Sequence, residues 1–151
     1  MKNLGIDIGW TIKGDRISGN KDLPALNSFE IIKKLHNYFD NIYFISKCNS
    51  EQKLHVEEWL IKYDVFNQTK VSPTNIYFCF ERKDKSIFAK ALELTHFIDD
   101  RPEVMYHLPN EIVKILFSPT SEDLSAYTDK LKNTTVSYHW NIVFDILTDV
   151  T

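Results

Sequence analysis

The sequence predicts a three-layer α/β domain, Rossmann-like, with helices on both faces of a central, mostly parallel five-stranded sheet. Three observations carry that prediction. Short apolar runs rich in β-branched and aromatic residues recur at 4–8, 42–46, 76–80, 96–100 and 113–117. They lack strict polar alternation, as expected of strands buried on both faces of a parallel sheet. Amphipathic helical patterns separate them, and that alternation argues for βαβ connections. The third observation is size: 151 residues suit one domain with one substantial core, and no repeat or linker divides residues 1–151.

The first strand, "LGIDI" (4–8), leads into a weakly patterned stretch, 12–27, expected to be an irregular loop or small flap. All four glycines, Gly5, Gly9, Gly14 and Gly19, lie here or just before, so backbone freedom is concentrated at this end. "SFEIIKKLHNYF" (28–39) places Phe29, Ile32, Leu35 and Phe39 on one helical face, with Ser28 as N-cap. After the strand "IYFIS" (42–46), "SEQKLHVEEWLIKY" (50–63) aligns Leu54, Trp59, Leu60 and Tyr63, capped by Asn49 or Ser50. "IYFCF" (76–80) precedes "DKSIFAKALEL" (84–94), where Ile87, Ala91 and Leu94 repeat and Asp84 caps. "HFIDD" (96–100) is followed, after Pro102, by a short helix carrying Val104, Met105 and Leu108. "VKILF" (113–117) gives the fifth strand. The segment 118–135 adds polar surface without recognisable chemistry. A last helix in "SYHWNIVFDIL" turns Trp140, Val143, Phe144 and Leu147 inward.

Bulk properties exclude several classes. A net charge of −3 and a pI near 5.9 give no reason to expect general binding to nucleic acid or anionic membranes. The start has no signal-peptide pattern, and no apolar stretch approaches the roughly 20 residues that span a bilayer. A cytoplasmic protein is expected. Cys48 and Cys79 match no zinc spacing and read as reduced thiols. Cys48, just past a strand end, is the better candidate for a reactive one.

Sheets of this kind bind ligands at the carboxyl ends of their strands. Asp7, Ser46 and the pair Asp99–Asp100 each fall at such an end. Two adjacent aspartates there would repel one another without a cation beside them.

This order of residues resembles the haloacid dehalogenase-like (HAD) superfamily of aspartate-nucleophile phosphotransferases, from Gly5 to about Met105. "GIDIGWT" resembles its first motif, with Asp7 as nucleophile and Thr11 as closing threonine. "IYFISK" resembles the second, with Ser46 as the phosphate-binding hydroxyl. Lys85 in "RKDKSIFAKAL" resembles the third-motif lysine, with Lys83 a weaker candidate, and "HFIDDRPEVM" resembles the fourth, with Asp99 and Asp100 as its acids. The resemblance implies that Asp7 and Lys85 are catalytic and that Ser46, Lys85 and Thr11 bind phosphate. It also implies Mg²⁺ held by Asp7, the Gly9 carbonyl and Asp99 or Asp100. The actin-like kinase and ATPase fold shares a local pattern like "GIDIGWT", but it needs more than twice this length.

The expected activity is therefore that of a Mg²⁺-dependent phosphatase or phosphotransferase forming an aspartyl-phosphate on Asp7. Phosphatases of the superfamily carry a second aspartate where this chain has Gly9. General acid–base help is worth roughly 10²–10⁴-fold in rate, so turnover could be slow, with Asp15 or His55 as replacement proton sources. The alternative is an impaired HAD-like domain that binds a phosphorylated ligand or a protein. Trp10 is a second departure, packed away or free to stack on a substrate ring. Neither the span from Asp7 to Ser46 nor that from Ser46 to Lys85 holds a cap domain. An open site would admit a small or macromolecular phosphorylated substrate, or a second copy of the chain as lid, so a homodimer is open to it.

Overall fold

The structure, a computed structural model, describes residues 1–149. β1 (Asn3–Ile6) leads into an antiparallel hairpin of β2 (Lys13–Asp15) and β3 (Asn20–Pro24), then α1 (Ser28–Leu35). β4 (Asn41–Lys47), α2 (Ser50–Lys62), α3 (Val65–Thr69), β5 (Ile76–Cys79) and α4 (Lys85–Ala91) follow. β6 (His96–Asp99), α5 (Pro102–His107), β7 (Val113–Phe117), α6 (Ser121–Tyr127), β8 (Thr134–Ser137) and α7 (Trp140–Thr148) complete the order. The central sheet runs β5-β4-β1-β6-β7-β8, with every neighbouring pair parallel.

Alternation along the strands builds two cores, one on each face of the sheet. Phe44, Ile98 and Ile115 point into one, with Ile32, Leu35, Trp59 and Trp140 of the covering helices. Their neighbours Ile45, Phe97 and Leu116 point into the other, with Ala89, Val104 and Met105. Strands covered on both sides need no polar face, which is why the runs read as continuously apolar.

The sheet has six strands rather than the expected five. β8 lies at the edge, where only Ser137 is buried, so its pairing with β7 leaves almost no hydrophobic signature. Of the two forms expected for the stretch after β1, irregular loop or small flap, the structure has the flap, an antiparallel hairpin. It is pinned by two indoles: Trp59 Nε1 donates to the Asp22 carbonyl at 2.7 Å, and Trp140 Nε1 to the Thr11 carbonyl at 3.0 Å.

Helix capping departs from expectation at one end of the chain and agrees at another. Asn27, not Ser28, is the N-cap of α1; it sits at φ 65° with no side-chain cap bond, while Ser28 is buried. Asn49 caps α2 in a full capping box with Gln52. Two inward faces are rotated from the expected ones. In α2, Val56, Trp59 and Leu60 are buried while Leu54 is 62% exposed. In α4, Lys85 and Ala89 turn inward and Ile87 is 64% exposed. A lysine displaces an isoleucine from the buried face because carboxylates await it there. No helix among the described residues is long and apolar enough to cross a membrane.

His96, half-buried on β6, stacks edge-on to Phe39 at 4.9 Å. Burial, helped by the Lys2 charge, lowers its pKa to about 4. The unfolded chain binds this proton below its ordinary 6.5, so the neutral form stabilises the fold fully above that pH, and the contribution fades as pH falls toward 4. Urea unfolding of wild type should lose more stability than His96→Gln across that window, by less than about 1.4 kcal/mol per pH unit, the limit for one proton. Parallel curves for the two proteins would refute it.

Candidate active site

The chain reverses its direction of travel across the sheet at β1, which has β4 on one side and β6 on the other. Ligand crevices form outside strand ends at such switch points. Asp7 is the first residue past β1, and its N–H donates to the Ile98 carbonyl at 2.9 Å. That bond extends the Ile6–Ile98 register and sets Asp7 beside Asp99, the last residue of β6. Ser46, near the end of β4, flanks them on the other side. A 3-10 turn, Arg82–Asp84, swings α4 over the strand ends and delivers Lys85.

Lys85 Nζ bonds Asp7 Oδ1 at 2.7 Å and Asp99 Oδ2 at 2.6 Å, and all three residues are buried. The Thr11 hydroxyl donates to Asp7 Oδ2 at 3.0 Å, so both oxygens of Asp7 are held. Asp99 Oδ1 accepts from the Arg101 N–H at 3.0 Å. Burial alone would discharge Lys85, but the Asp7 and Asp99 carboxylates outweigh it and hold the ammonium well above its ordinary range.

The carboxylates are not fully compensated. Burial, with the charge of Asp7, raises Asp99 to about 6 despite Lys85. Burial, with Asp7 and Asp99, raises Asp100 to about 9, although Arg16 Nη2 lies 2.9 Å from its Oδ2. A contact that short lowers a carboxyl pKa, yet the two neighbouring anions prevail. One oxygen from each of Asp7, Asp99 and Asp100 lies within 4.8 Å of the others. Three crowded oxygen donors with surplus negative charge form a set that fits a hard divalent cation.

These residues line a cleft of about 530 Å³. Arg16, from the hairpin turn, stacks on Trp10 with its guanidinium carbon 4.6 Å from the ring centroid. The indole is also pressed against Gly14: a Cβ there would lie 2.7 Å from Trp10 Cε3, and Gly14 has φ 118°. Trp10 itself adopts φ 57°. With Arg16 over it and Gly14 against it, Trp10 is packed on the hairpin, half-buried, and also lines the cleft.

No family model matches the sequence, and no curated protein matches it. Solved structures do. The D,D-heptose 1,7-bisphosphate phosphatase of B. bronchiseptica, solved with magnesium and phosphate, aligns over 97% of this chain and 98% of its own, with TM-score 0.68 and 10% identity. The cobalt-bound deoxy-D-mannose-octulosonate 8-phosphate phosphatase of Haemophilus influenzae aligns over 97% and 86%, with TM-score 0.55 and 9% identity. The chain has the haloacid dehalogenase-like fold.

Within this HAD-like fold, Asp7, Gly9, Ser46, Lys85, Asp99 and Asp100 all line one cleft. Thr11 does not: it is fully buried and its hydroxyl is engaged by Asp7, so the geometry gives it a hold on Asp7 rather than a phosphate contact. Lys83 faces solvent and pairs with Glu81. His55 lines the cleft, whereas Asp15 lines a neighbouring pocket and accepts the Ile17 N–H. Cys48 reaches the cleft wall, but burial raises its pKa and that of Cys79, the latter to about 11, so both stay thiols. Sequence reasoning missed Arg16 as a site residue. Its only signal was proximity to Gly14, because turn geometry decides where the side chain lands.

Gly14→Ala should destabilise the protein by about 1–3 kcal/mol, since it combines an unfavourable φ with a clash. In a Trp10→Ala background the clash disappears and the penalty should shrink. Equal penalties in both backgrounds, measured by denaturant unfolding, would sever the two residues.

Proposed function

We propose that this chain is a divalent-metal-dependent phosphatase or phosphotransferase of the HAD type, with Asp7 as nucleophile. The observation that carries the reading is Asp7 itself. It is a buried carboxylate held by Lys85 and Thr11 at a strand end, beside two further carboxylates that fit a hard cation. A purely structural ion pair would not need Asp100, whose burial next to two other acids is costly. The similar structures named above are phosphatases that act on phosphorylated sugars or sugar acids, which supports the same bond type here.

Asp7, Asp99, Asp100 and the Gly9 carbonyl would hold Mg²⁺, which supplies positive charge that lets an anionic nucleophile meet an anionic phosphate. The chain's own groups do the rest. Lys85, kept protonated, orients Asp7 and offers charge to the phosphoryl oxygens, and Ser46 donates to one of them. An Asp7 oxygen attacks phosphorus, the bond to the ester oxygen breaks, and the electron pair leaves with that oxygen. Water then attacks the phosphorus of the acyl phosphate, freeing phosphate and restoring the carboxylate. Gly9 brings no acid to protonate the leaving oxygen and no base to activate water. His55 on the cleft wall is the replacement we assign, and turnover is expected to be slow. We place the activity in the cytoplasm, on phosphorylated small molecules or macromolecules, with a second copy of the chain as one way to cover the open cleft.

A second reading keeps the fold but not the turnover. Gly9, and the Arg16–Asp100 contact that already occupies one acid, favour a domain that binds a phosphorylated ligand without cleaving it.

Hydrolysis of p-nitrophenyl phosphate separates these readings, because its leaving group needs little acid help. Wild type with Mg²⁺ should turn over slowly, without Mg²⁺ not at all, and Asp7→Asn should fall at least about 10³-fold, in keeping with loss of a covalent nucleophile. Gly9→Asp is sterically free, since a Cβ there meets nothing within 4 Å. It should raise the rate on alkyl phosphates by about 10²-fold or more. Undiminished activity in Asp7→Asn would sink the nucleophile. Silence of wild type together with activity of Gly9→Asp would favour the binding domain.

A further inference from the structure

Six cationic side chains line the cleft: Lys13, Arg16, Lys47, Arg82, Lys85 and Arg101. Four of them are already engaged. Lys13 faces Asp22 at 3.5 Å, and Arg16 faces Asp100 at 2.9 Å. Lys85 is held by Asp7 and Asp99, and Arg101 is clamped by Glu103 and Asp123 at 2.6 and 3.0 Å. Lys47 and Arg82 are different. Neither side chain makes a hydrogen bond or ion pair among the described residues.

Lys47 is the last residue of β4 and is in register with Cys79, the last residue of β5. Arg82 stands in the 3-10 turn that follows β5. His55 and Gln52, from the first half of α2, share this flank. On the β6 side Arg101 is tied back by two acids, and the turn that carries Arg82 packs against α5, where the Arg82 charge acts on Glu103 without forming an ion pair. Lys47 and Arg82 are thus the cleft cations whose side chains have no ion-pair partner among the described residues, on a concave wall that concentrates their field.

A phosphoryl group at Asp7 is served by Lys85, Ser46 and a cation on the acids; it does not need Lys47 or Arg82. We propose that these two residues form a subsite for a second anionic group of the substrate. The substrate class is then a phosphate monoester that also carries another phosphate or a carboxylate, rather than a neutral phosphorylated molecule. Arg82 brings a fork that matches either group, and Lys47 a movable point charge. The inference rests on the phosphate reading of the Asp7 site, and its test must tell the two apart.

The test is calorimetric binding to full-length Asp7→Asn with Mg²⁺, so that nothing turns over. The probes are fructose 6-phosphate, fructose 1,6-bisphosphate and 6-phosphogluconate. At least one of the two doubly anionic probes should bind about tenfold or more tightly than fructose 6-phosphate, as expected for charge-assisted contacts. An advantage for the bisphosphate alone assigns a second phosphate, and an advantage for phosphogluconate alone assigns a carboxylate. Adding Lys47→Gln and Arg82→Gln should erase the advantage while leaving fructose 6-phosphate affinity and the thermal midpoint unchanged. Equal affinity for all three probes, or an advantage that survives the double substitution, overturns the subsite and leaves the phosphate site standing. If fructose 6-phosphate fails to bind but a doubly anionic probe binds through Lys47 and Arg82, the subsite stands and the Asp7 reading falls. If no probe binds, both fall.

Discussion

The arrangement turns on one ammonium group. Lys85 lies buried between Asp7 and Asp99 with contacts of 2.7 and 2.6 Å, and without it three carboxylates would share one dry corner. Removing one partner of a buried ion pair typically costs about 3–5 kcal/mol, because the other charge is left uncompensated. Local structure is arranged around that requirement. α4 is rotated so that a lysine rather than Ile87 faces inward, and the preceding 3-10 turn sets its start above the strand ends. The parallel register of β1 and β6 brings the two acids to the same height. Electrostatics at the site thus decides how a helix sits, and the hydrophobic stripe yields to it.

That conflict explains which parts of the molecule were legible in the sequence. Asp7, Ser46, Asp99 and Asp100 were readable because apolar runs fix where strands end, and parallel sheets gather their ends on one side. Lys85 was readable through its place at a helix start, but the rotation of that helix was not, because apolar periodicity pointed to Ile87, Ala91 and Leu94. β8 was invisible for a different reason. An edge strand reading Thr-Thr-Val-Ser is held by backbone bonds to β7, which leave no side-chain signature. The strand pairing within the flap after β1 was equally hidden, since turn residues dominate it. Thr11 was expected to bind phosphate, and only the structure reveals that its hydroxyl is spent on Asp7.

Gly9 and Trp10, where the sequence departs from the motif it resembles, are neighbours in more than sequence. A Cβ at Gly9 would meet nothing within 4 Å, while Trp10 beside it takes a left-handed backbone and lies under Arg16. The same Arg16 reaches Asp100, so the residues around Gly9 are joined to the carboxylate cluster by a flexible cation rather than a proton donor. Charge can be stabilised there, but a proton cannot be handed over, because a guanidinium does not give one up.

The chain has three tryptophans, and each one touches the segment between Trp10 and Pro24. Trp10 lies within it, Trp59 holds the Asp22 carbonyl and Trp140 holds the Thr11 carbonyl. Ultraviolet emission from this protein is therefore an optical readout of that one arm beside the cleft. An investigator needs no dye or tag to watch the arm respond to solutes: the molecule carries its own lamps, and all three shine on the same spot.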